Sequence, residues 1–131
     1  MKLTLEASNV MQQKRSEEPI LDLKAALERL GGSQELLQEM ISFYLEDYSI
    51  LLDRIKEAAE DGDPISLSRN VHSLKGLAAN FDAVQVIEAA DATTQAVRTS
   101  AGLMPDNQIA ALATAANELA EHLRAVQNEE K

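Results

Sequence analysis

His72, Lys75 and Gly76 are of types, and at a spacing, that suit phosphoryl transfer. A neutral imidazole has an ordinary pKa of about 6.5, so near neutral pH it offers a nucleophilic ring nitrogen without a separate base. The group in transfer spreads negative charge over its equatorial oxygens, which an ammonium one turn away stabilises, and in-line geometry demands open access to the ring. A glycine inside a helix costs about 1 kcal/mol relative to alanine and supplies that opening. Each residue also has a plainer reading: a surface histidine, a solvated lysine, and a glycine at a close helix–helix contact.

The segment that must position them reads as a helix. Asp63-Pro64 is an N-cap followed by proline at the first helical position, and Leu67, Val71, Leu74, Ala78 and Phe81 form a stripe at offsets of 4, 3, 4 and 3. At about 100° per residue, His72 falls a right angle or more from the centre of that stripe. Arg69, Lys75, Gly76 and Ala79 share its flank, so the imidazole is expected on the side of a bundle, exposed.

Four other helices are expected around it. Asp22 caps a short one bearing Leu23, Leu27 and Leu30, which stops at Gly31-Gly32. Ser33 caps a long second helix of about 27 residues, with Leu36, Leu37, Met40, Ile41, Tyr44, Leu45, Leu51, Leu52, Ile55 and Ala59 toward the core until Asp61-Gly62. Asp82 is expected to cap a helix over 83–99, with Val86, Ile87, Ala90, Thr94 and Val97 inward. Pro105 opens the last, carrying Ile109, Leu112, Ala116, Leu119, Leu123 and Val126. Short connections favour antiparallel neighbours, so the fold class is all-α, an antiparallel up-and-down four-helix bundle with a short additional N-terminal helix. Residues 1–18 lack a sustained period and read as a tail or loosely docked arm, 19–128 as the domain, and 129–131 as a C-terminal tail.

Composition narrows the function. The 131 residues suit one domain; 45% are hydrophobic but only 3% aromatic, as in an Ala- and Leu-rich bundle. A net charge of −10 without a basic cluster argues against nucleic acid. No cysteine means no disulfide framework, thiolate zinc site or cysteine nucleophile, which suits the reducing cytoplasm. No run approaches the roughly 20 apolar residues of a membrane span. His122, next to Glu121 and one turn from Glu118, reads as a solvated residue near a helix end, and no metal site is expected.

Val71-His72-Ser73-Leu74-Lys75-Gly76-Leu77-Ala78-Ala79-Asn80-Phe81 resembles the H-x-L-K-G signature helix of histidine-containing phosphotransfer (HPt) domains. Leu27 to Leu37 resembles the segment leading into that family's second helix, and Asp61 to Asn70 the entry to its phospho-acceptor helix. The resemblance implies a phosphorelay carrier that accepts a phosphoryl group on His72, at Nε2, from a receiver-domain aspartate and passes it to another receiver, with Lys75 and Gly76 in support. It implies no enzyme in the ordinary sense and no cofactor of its own, magnesium being held by the receiver. The partners would be response-regulator receiver domains, a hybrid sensor histidine kinase, or both; a cytoplasmic location is expected from the lack of cysteine, and an exposed acceptor fits a monomer. Two positions depart from the family pattern: Asp82 stands where glycine is usual, and Thr94 where several members place a glutamine near the phosphohistidine. Gln95 is adjacent but rotated by about 100°.

Arg69, Ser73 and Ala79 are the expected docking positions, with Met40 and Phe43 contributing from the second helix, although a core role reads more naturally for those two. Competing readings are a phospho-acceptor fragment of a chemotaxis-type or hybrid histidine kinase, and a non-catalytic helical interaction module in which His72 has no chemistry. The H-E-x-x-[NT]-P pattern of dimerising kinase cores is missing at His72, and no G-x-S-x-G or H-E-x-x-H pattern suggests a hydrolase or metalloenzyme.

Overall fold

Side-chain caps start the first three helices. Asp22 Oδ1 accepts the Ala25 N–H at 3.0 Å at the head of α1 (Leu23–Arg29). Ser33 Oγ accepts the Leu36 N–H at 3.2 Å to open α2 (Gln34–Glu60). Asp63 Oδ1 accepts the Ser66 N–H at 3.1 Å to open α3 (Pro64–Ala79), with Pro64 in the first turn, where its missing N–H costs nothing. The chain continues through α4 (Val84–Thr99) to α5 (Asp106–Glu129), and the Pro105 carbonyl accepts the Ile109 N–H at 2.9 Å at the entry to α5. These helices come from a computed structural model that describes residues 20–100 and 103–129; the expected N-terminal arm over 1–18 lies outside the described residues.

The four long helices close a ring, α2 on α3, α3 on α4, α4 on α5 and α5 back on α2, in the up-and-down bundle that short connections favour. No strand occurs among the described residues. All five stripe positions of the third segment, Leu67, Val71, Leu74, Ala78 and Phe81, are at most 1% exposed, so the rotation of α3 about its axis is fixed. Tyr44 ties this stripe to the rest of the core. Its ring stacks on Tyr48 at 5.3 Å and meets Phe81 edge-on at 6.1 Å, and its hydroxyl donates to the Ala116 carbonyl on α5 at 2.8 Å. Burial, with Tyr48 as a second cause, pushes the Tyr44 phenol well above its usual range, so it stays a donor.

The inward faces of α2 and α4 differ in phase from the expected ones. On α2, Tyr48 and Ala58 are buried, Ala59 is only partly so, and Leu36 is 45% exposed. Over 27 residues the 3.6-residue period drifts across any fixed heptad choice, and Leu37 rather than Leu36 falls in the buried arc. On α4, Thr93 is fully buried, its hydroxyl donating to the Ala89 carbonyl at 2.7 Å, while Thr94 is half-buried.

Asp82 does not cap α4. The N-cap is Ala83, with no side-chain bond, and Asp82 has φ +49°, the left-handed conformation natural to glycine. Its carboxylate is instead forked by Arg29 Nη1 at 2.9 Å to both oxygens, while Arg29 Nη2 donates to the carbonyl of Asn80 at 3.0 Å and more weakly to that of Ala79 at 3.4 Å. The Asp22 N–H donates to the Phe81 carbonyl at 2.7 Å. Thus α1 staples the α3–α4 corner at both its ends, and the fork offsets the backbone cost of an aspartate in a glycine conformation.

Arg29→Ala should lower the unfolding free energy by about 1 kcal/mol, the scale of a half-exposed fork with its carbonyl bonds. In that background Asp82→Gly should recover about 1 kcal/mol by relieving the left-handed residue. Urea titrations of the two variants check both steps, and an unchanged midpoint for Arg29→Ala would show that the corner does not depend on the fork.

Candidate functional site

Because α3 buries Val71 and Leu74, the residue between and outward of them is turned to solvent, and His72 is exposed on the outer ridge of the helix. Two grooves flank this ridge. One, of about 360 Å³ between α3 and α4, is lined by Val71, His72, Lys75, Asp91, Thr94, Gln95 and Arg98. The other, of about 480 Å³ between α2 and α3, is lined by Asp47, Ile50, Leu51, Arg54, Ser73, Gly76 and Leu77.

On the α4 side, Lys75 lies beside the imidazole as its spacing predicts, but its ammonium is engaged: Nζ bonds Asp91 Oδ1 at 2.7 Å. Thr94 lines the groove with its hydroxyl donating at 3.1 Å to the Ala90 carbonyl of its own helix. Gln95 lines it as well. The 100° step between these neighbours leaves both on the open flank of α4, and the longer carboxamide arm reaches the groove from its edge. Neither Gln95 nor Arg98 has a side-chain hydrogen-bond or ion-pair partner among the described residues.

On the α2 side, Gly76 is exposed, and a methyl group built on it would meet nothing within 4 Å. Close helix packing therefore does not account for this glycine, and the opening it leaves faces outward. Arg69, Ser73 and Ala79 are exposed on the same helix, with Ser73 Oγ donating to the Arg69 carbonyl at 3.2 Å. Of the two α2 residues, Met40 packs partly buried against the core, whereas Phe43 is 52% exposed, against the core role that its size suggests. Tyr44, one step of 100° away, takes the buried arc and turns Phe43 outward. Leu36, Phe43 and Ile50 recur every seven residues, so their exposed side chains share one face of α2. His122 is exposed near the end of α5, its Nδ1 3.0 Å from the Glu118 carbonyl.

Asp91, Arg98, Arg54 and the exposed leucine and isoleucine were not anticipated from sequence. One signal was present for the α4 residues. In an antiparallel pair, positions equidistant from the turn face one another; Lys75 and Asp91 are each eight residues from Ala83, and His72 and Thr94 each eleven.

The bundle displays its imidazole on the open ridge of a helix, with cations in the flanking grooves and no enclosing cleft around the ring among the described residues. The Hpt domain model matches residues 39–129, and the chain belongs to the Hpt domain family, the histidine phosphotransfer proteins of phosphorelays. The fold is shared with the crystal structure of histidine-containing phosphotransfer protein B from Pseudomonas aeruginosa PAO1, at a TM-score of 0.76 over 86% of this chain and 98% of that one, with 16% sequence identity. No curated protein matches the chain.

Gly76→Ala should raise the unfolding free energy by up to about 1 kcal/mol, because the added methyl meets open space and alanine is the better helix former. Thermal unfolding monitored by circular dichroism reads this directly, and a lowered midpoint would return the glycine to a packing role.

Proposed function

We propose that His72 is the phospho-acceptor, taking a phosphoryl group from the aspartyl phosphate of a receiver domain and passing it to another. The observation that carries this reading is the exposed imidazole on α3 with Lys75 in the adjacent groove and unfilled space over Gly76. In the transfer, a lone pair on a ring nitrogen, Nε2 in our reading, forms the P–N bond while the P–O bond to the receiver's carboxylate breaks, its electron pair staying on the departing oxygen. The ring keeps the hydrogen on its other nitrogen, and the positive charge it gains is offset by the phosphoryl oxygens. Return transfer runs through the same bonds reversed. The chain lends one nucleophile and local charge, while magnesium and the aspartate belong to the partner, so it acts as a carrier rather than an enzyme.

Charge and shape support docking of an acidic partner site at this ridge. In a chain of net charge −10, Arg54, Lys75 and Arg98 line the two grooves beside His72, and Arg69 is exposed one turn before it. Such local cations steer and hold a phosphorylated aspartate despite the overall repulsion. The apolar face of Leu36, Phe43 and Ile50 extends the contact across α2, joined to α3 through the groove that Ile50 shares with Ser73 and Gly76. Met40 contributes from beneath, Ala79 leaves the end of α3 low, and Thr94 faces the phosphoryl group from α4. None of the described helices is long and apolar enough to cross a membrane, and we place the exchange in the cytoplasm with the carrier as a monomer.

Mixing the protein with a labelled, aspartyl-phosphorylated receiver and magnesium should transfer label to wild type and none to His72→Gln, and the product should resist alkali and hydrolyse in acid. Lys75→Gln should slow transfer about tenfold, the effect of one charge-assisted contact to the moving group. Phe43→Asp should weaken receiver binding with little change in thermal stability. Equal labelling of His72→Gln would remove His72 from the chemistry, and labelling by a histidine kinase but by no receiver would assign the chain to the kinase-fed acceptor class.

A further inference from the structure

Asp91 is the acidic member of the His72 groove, and its only ion-pair partner among the described residues is the lysine beside the imidazole. We propose that Asp91 is a positioning residue that tunes how strongly the site retains a phosphoryl group, by holding Lys75 when His72 is bare and competing for it when His72 is loaded. This rests on the reading of His72 as phospho-acceptor.

The geometry supports an exchange of partners. Lys75 Nζ and Asp91 Oδ1 are 2.7 Å apart, with the two side chains 39% and 58% exposed. A pair this open to water is held weakly, so a phosphoryl group with about two negative charges on the adjacent ring can draw the ammonium away. The carboxylate then faces that group across the groove as a like charge. Both effects oppose retention, so Asp91 raises the tendency of the phosphohistidine to give up its group. Arg98, in the same groove and without a carboxylate partner among the described residues, acts in the opposite sense. Asp91 has no capping duty inside α4, and aspartate is a poor interior helix former, so helix stability does not account for its presence.

The test measures the equilibrium partition of label between a receiver domain and the carrier, with magnesium, for wild type, Asp91→Asn, Asp91→Glu, Lys75→Gln and the Lys75→Gln/Asp91→Asn double variant. Asp91→Asn should shift the partition toward phosphohistidine by about threefold or more, the scale of one half-exposed ion pair, and Asp91→Glu should return it toward wild type. In the Lys75→Gln background the Asp91→Asn shift should shrink to less than about half of that. A purely structural ion pair would move the urea midpoint and leave the partition alone, which overturns the proposal, as does an undiminished shift without the lysine. Wild type that accepts no label at all overturns the carrier reading itself, whereas normal exchange with an unmoved Asp91→Asn partition overturns the role of Asp91 alone.

Discussion

Burial of a single stripe on α3 determines most of what lies outside it. Once Leu67, Val71, Leu74, Ala78 and Phe81 are packed inward, a rotation of 100° per residue fixes the face of α3 on which His72, Lys75 and Gly76 stand. The stripe runs along the helix and is extended by Phe81, two residues past its end, which meets Tyr44 edge-on. Tyr44 in turn reaches α5 through its hydroxyl. The helix face that carries the imidazole is thereby referred to three helices at once, although no side chain among the described residues bonds to the ring.

What the sequence makes legible follows from this. Helix starts at Asp22, Ser33 and Asp63 were readable because each cap is a local event, a side-chain oxygen within three residues of the N–H it accepts. The α3 face was readable because a short helix with four well-spaced apolar residues, Leu67, Val71, Leu74 and Ala78, has one consistent phase. The longer α2 was less so: it carries apolar residues at more positions than one arc can bury, and sequence does not say that Tyr48 goes inward while Leu36 and Phe43 stay out. Size was misleading at Phe43, because angular position rather than side-chain volume decides which residues a bundle covers.

The site was legible along α3 and largely illegible across to α4. Residues on one helix are related by its period, whereas Asp91, Gln95 and Arg98 depend on how the α3–α4 corner sets one helix against the other. Asp82 illustrates the difference. By type it is a good cap, and only the tertiary partner Arg29, fifty-three residues earlier, shows that it serves as the acidic half of a staple in a left-handed residue. A long-range ion pair outweighs the local preference, which propensity alone does not anticipate.

If the proposed acceptor role of His72 holds, its place in the middle of α3 has a consequence for the direction of traffic. Every residue lining its two grooves lies on a helix and none on a loop, so on that reading loading and unloading share one encounter geometry, as microscopic reversibility requires. Net flux through such a carrier would then follow mass action, set by how much of each receiver stands phosphorylated at a given moment.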